Sequence, residues 1–183
     1  IWWFFPSLLE PCDGPWGRLL QFGHDPVRTW KAIIDWAAAL KVDRLIPGIE
    51  PYQTDRVYNQ WGFHYVCRFP EDPEARCFDA ETIERNVRTV RAIAAYGQER
   101  GLRILFHHYN LMAPERWVQA HPRLWEKVQA VHDPVWGNVF HNDRLGNLVA
   151  NLCWSDPEYR AFLQRCWREV FTRMPELAGA MIT

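Results

Sequence analysis

Apolar positions along this chain alternate between two periods. Val27, Trp30, Ile33, Ile34, Ala37 and Leu40 fall on one helical face. Asp25 suits the cap of that helix, and Pro26 suits its first position because proline lacks the N–H that goes unpaired there. Ile83, Val87, Val90, Ile93, Ala94 and Gly97 repeat the spacing and predict a second helix from about Asp79 to Arg100, with Gly101 as its stop. A third stripe, Phe162, Cys166, Trp167, Val170 and Met174, follows Ser155-Asp-Pro-Glu158, which has the spacing of a capping box starting at Ser155. Short apolar runs alternate with these helices: Ile1 to Ser7, Arg44 to Glu50, Arg103 to Tyr109 and Ala178 to Thr183. They predict four strands, the second weakened by Pro47, which removes a ladder donor.

The connections are uneven in length. Helix-to-strand returns are short, whereas residues 51–78 and 111–154 follow the second and third strands as long segments. The first holds Tyr52, Tyr58, Trp61, Phe63, His64 and Tyr65, too apolar for disorder. The second predicts short helices near Pro114–Ala120 and Pro122–His132, and an irregular stretch over Asn138–Asn151.

Strand–helix–strand repeats give an α/β fold with a parallel sheet and right-handed crossovers. Two features favour a TIM-type barrel over an open doubly wound sheet. No glycine-rich turn follows the first strand, so the dinucleotide fingerprint is missing. The insertions also gather at the strand ends where such barrels carry their chemistry. At 183 residues the chain is shorter than a barrel of ~250 residues. The expectation is a partial barrel over residues 1–183, of about four strands and three helices, continuing at both ends.

Composition narrows the partners. A net charge of −1 gives no electrostatic basis for nucleic acid or an acidic membrane surface. No apolar run approaches the ~18 residues of a membrane span. Five cysteines form no C-x-x-C pair and no zinc spacing; Cys67 and Cys77 are the only two close enough in sequence to suggest a loop staple. Eleven tryptophans are unusual, and Trp16, Trp61, Trp136 and Trp154 sit in loop-like stretches. Flat amphipathic rings in loops suit stacking on sugar rings or other flat ligands, although packing accounts for many tryptophans.

Candidate chemistry gathers at strand ends. Alternation puts Ile46, Gly48 and Glu50 on one face of the second strand, with Leu45, Pro47 and Ile49 on the other. Glu50 then suits ligand binding or proton transfer; its alternative role is an ion pair with a neighbouring arginine. His107, His108, Tyr109 and Asn110 close the third strand, with His108 and Asn110 sharing one face and His107 and Tyr109 the other. Such an edge can bind hydroxyls. One histidine with Glu50 is only part of a metal coordination sphere, so no metal is expected, and no motif implies a cofactor. Glu10, Asp13, Trp16 and the His141-Asn-Asp143 run are softer candidates.

With the aromatic loops and polar strand ends, the stretches Cys153-Trp-Ser-Asp-Pro-Glu158 and Met174-Pro-Glu-Leu-Ala-Gly-Ala-Met-Ile-Thr183 resemble a glycoside hydrolase barrel, of the β-hexosaminidase-like or α-glucuronidase-like kind. In such families a Pro-Glu-Leu turn leads into the fourth strand, whose end or following loop bears an acidic catalytic residue. That resemblance implies hydrolysis of a glycosidic bond by carboxyl groups, with the catalytic acid beyond residue 183. It further implies a carbohydrate substrate contacted by Glu50, Tyr52, Trp61, Tyr65, His107, His108, Tyr109, Asn110 and Trp154. Glu50, His108 and Asn110 would orient hydroxyls, and Trp61 or Tyr65 would stack. A metal-dependent sugar isomerase-like barrel and a non-catalytic carbohydrate-binding barrel are the alternatives.

Overall fold

The computed structural model describes residues 26–46, 63–108, 112–130, 139–140, 148–149 and 152–182. The first expected strand, with Glu10, Asp13 and Trp16, lies outside the described residues. So do Glu50, Tyr52, Tyr58, Trp61, Tyr109, Asn110, Trp136 and the His141–Asp143 run.

Helix α1 spans Pro26–Ala39 and buries Trp30, Ile34 and Ala37, the inner part of its predicted stripe. Leu40, expected on that stripe, is 56% exposed, because the chain leaves the helix there through Lys41 at φ +58°. Strand β1 follows at Arg44–Leu45. Within the predicted 51–78 connection lie a short helix α2, Phe63–Val66, and a single 3₁₀ turn, Pro73–Ala75. Helix α3 spans Ala80–Glu99; the Asp79 carboxylate caps it by accepting the Thr82 N–H at 2.7 Å. All six of its predicted stripe residues are buried. Gly101, at φ +76°, turns the chain directly into β2, Arg103–His108, a conformation costly for any other residue.

The described part of the long insertion after β2 holds more regular structure than its pattern suggests. It contains β3 (Ala113–Pro114), α4 (Glu115–Gln119), α5 (Pro122–Ala130), β4 (Val139–Phe140) and β5 (Leu148–Val149). The last two correct the expectation of an irregular Asn138–Asn151 stretch. They pair in a small antiparallel sheet of order β3-β5-β4. Two-residue strands are too short to show a period, so only the fold reveals them. Pro114 sits on an outer strand, where a missing donor is tolerated.

Helix α6 spans Pro157–Arg173 and leads into β6, Gly179–Ile182. Its cap is Asp156, not the expected Ser155: the Asp156 carboxylate accepts the N–H groups of Glu158 at 3.0 Å and Tyr159 at 3.3 Å. Pro157 explains the shift, since proline holds its predecessor extended and itself suits the first helical position.

The main sheet is parallel, in the order β1-β2-β6. Successive strand–helix units therefore add to the same side, as in a barrel wall. The described residues form an α/β assembly with this three-stranded sheet and no closed barrel. Helices cover one sheet face. Ile104, Phe106 and His108 of β2 are buried there, with Leu45 beside Ile104. Gly97 lets α3 approach closely: a β-carbon on it would lie 2.6 Å from Ile104 Cγ1. Among the described residues no helix is long and apolar enough to cross a membrane.

Candidate functional site

All three parallel strands end at the same side of the sheet, and both long connections leave from it. The returns to β2 and β6, through Gly101 and the Met174–Ala178 turn, are short. That end is the candidate mouth.

The two histidines ending β2 divide between its faces. His108 is 0% exposed on the helix side. Its ring stacks on Phe63 at 4.3 Å between centroids and meets Trp167 edge-on at 5.7 Å. Neither of its ring nitrogens has a hydrogen-bond partner among the described residues. Burial first, and His107 second, lower its pKa from 6.5 to about 3, so the ring is neutral at ordinary pH. His107 is half-buried on the opposite face, which it shares with Leu105, and pairs in register with Met181 of β6. Burial lowers its pKa too. The hydroxyl-orienting role attached to His108 thus falls on a ring enclosed by α2 and α6, while His107 occupies the face away from the helices.

Tyr65 is buried rather than presented at a mouth: its ring stacks on Phe78 at 5.4 Å, and its carbonyl accepts the Asn86 amide at 3.0 Å. Trp154 is 42% exposed, three residues before α6 begins, at the end of the insertion that starts from the mouth. His64, to which the sequence pattern gave no role, is fully buried against Tyr65 at 4.0 Å. Burial, with His108 adding to it, holds its pKa well below the ordinary value. No local signal marks it; besides Tyr65, its neighbours Phe78 and His108 lie outside its own helix.

The connection after β1 is anchored to α6. The Glu169 carboxylate accepts the N–H of Arg68 at 2.6 Å and of Phe69 at 3.3 Å, holding Phe69 at φ +50°. Arg173 donates to the Val66 carbonyl and pairs with Glu84. Buried Asp72 receives Arg165 through two bonds, 2.6 and 2.7 Å, and the Trp117 indole N–H at 2.9 Å. A groove of about 220 Å³ runs beside these residues, lined by Phe69, Asp72, Arg165 and Glu169 among others. None of the sequence-predicted site residues lines it.

Cys67, Cys77, Cys153 and Cys166 are free thiols, which corrects the suggested Cys67–Cys77 staple. Cys67 instead points its thiol at the Cys166 carbonyl, 3.8 Å away. Burial pushes both thiols well up, leaving them poor nucleophiles. No cluster of three or more His, Cys, Asp or Glu able to hold a metal occurs among the described residues.

No family model matches the chain, and neither does any curated protein. Solved structures do. A GH138 enzyme targeting pectin rhamnogalacturonan II superposes with a TM-score of 0.52 at 12% identity, over 85% of this chain. The chain spans 14% of that enzyme's length. A noncanonic maltogenic alpha-amylase from Thermotoga neapolitana aligns over 97% of this chain and 37% of its own, at 9% identity and a TM-score of 0.48. The likeness to the first is one of fold alone.

Proposed function

We propose that residues 1–183 form part of the catalytic barrel of a carbohydrate-active enzyme, a glycoside hydrolase. The observation that carries this reading is the succession β1-β2-β6 with both long connections leaving the strand ends where His107 sits. The fold likeness to a glycoside hydrolase supports it. In barrels of this type the chemistry is built from loops at that end.

The reaction proposed is cleavage of a glycosidic bond through an oxocarbenium-like transition state, with a carboxylic acid protonating the departing oxygen. The principal catalytic acid belongs beyond residue 183. Glu50 and Asn110 remain proposed hydroxyl ligands, and Tyr52, Trp61 and Tyr109 further proposed substrate contacts. His107 joins them as a neutral imidazole able to accept from one hydroxyl or donate to another. Trp154 offers a ring face for stacking. His108 supports the site from behind, through Phe63 and Trp167, and Tyr65 through Phe78. No specific observation among the described residues favours the metal-dependent isomerase reading.

The test is oligosaccharide binding by the purified chain, measured by calorimetry against a panel of plant and storage glycans. Millimolar or tighter binding of one glycan class, weakened about tenfold or more by His107→Ala, supports the reading. A folded protein that carries the whole proposed barrel and binds none of the panel sinks it.

A further inference from the structure

We draw no further inference here: the strongest candidate, the edge of β6 left open among the described residues together with exposed Ala180 and Ile182, is an apolar face, and nothing in the structure shows what covers it.

Discussion

The imidazole of His108 stacks on the ring of Phe63, 4.3 Å between centroids and 30° from parallel. A residue at the end of β2 is thereby held by the connection that follows β1. Trp167 of α6 closes the cluster, meeting Phe63 at 4.7 Å and His108 at 5.7 Å, both edge-on. Three elements that flank the candidate mouth meet in one aromatic group.

That enclosure makes the fold acid-sensitive. The unfolded chain protonates His108 near its ordinary value of 6.5, whereas the folded chain resists until about pH 3. Between these values the unfolded state binds more protons, so stability is full above about pH 6.5 and declines as pH falls. The limiting slope is about 1.4 kcal/mol per pH unit for one such group. His64 acts in the same direction. Thermal melts from pH 7 to pH 4 should show a progressive drop that His108→Phe makes shallower. An unchanged slope in that variant would mean His108 is not the enclosed group described here.

Gly97 is required by contact, not by backbone conformation. Replacement with Ala should destabilise by about 1–2 kcal/mol, since overpacking against Ile104 outweighs the helix-propensity gain of up to ~1 kcal/mol. The penalty should largely vanish in an Ile104→Ala background. Urea unfolding of the four variants of this cycle measures it, and strict additivity would refute the contact.

Asp156 and Ser155 compete as the cap of α6, and the structure chooses Asp156. Asp156→Ala should cost about 1–2 kcal/mol, since it also releases Lys127 and Arg123, held at 2.8 and 3.0 Å. Ser155→Ala should stay within about 0.5 kcal/mol. Equal losses in chemical denaturation would restore Ser155 as the cap.

Asp72 ties the β1 connection, α4 and α6 together. Asp72→Ala leaves Arg165, 28% exposed, and the Trp117 indole without their acceptor. Loss of a fully buried pair costs about 3–5 kcal/mol; partial exposure of Arg165 reduces this to roughly 2–3 kcal/mol. Hydrogen exchange should quicken over residues 67–76 and the middle of α6, around Arg165. Unchanged protection there would show that the ion pair is not what anchors the connection.

The long helices were readable from the chain because their signals are local. Apolar residues every third or fourth position and the glycine at position 101 need no distant partner to act. The same applies to β2 and β6, and to the parallel order that short helix-to-strand returns enforce. Alternation likewise separated His107 from His108. It could not say which of them faces the helices, because that depends on whether α3 and α6 pack above or below β2. Gly97 against Ile104 and Trp167 against Phe106 decide the matter, and both are contacts between residues distant along the chain or on separate elements. The burial of Tyr65 and His64, the Cys67–Cys166 contact and the β3-β5-β4 sheet are of the same kind. Sequence periodicity determined which residues form elements and which share a face. Only packing between elements decided which face of β2 the helices enclose.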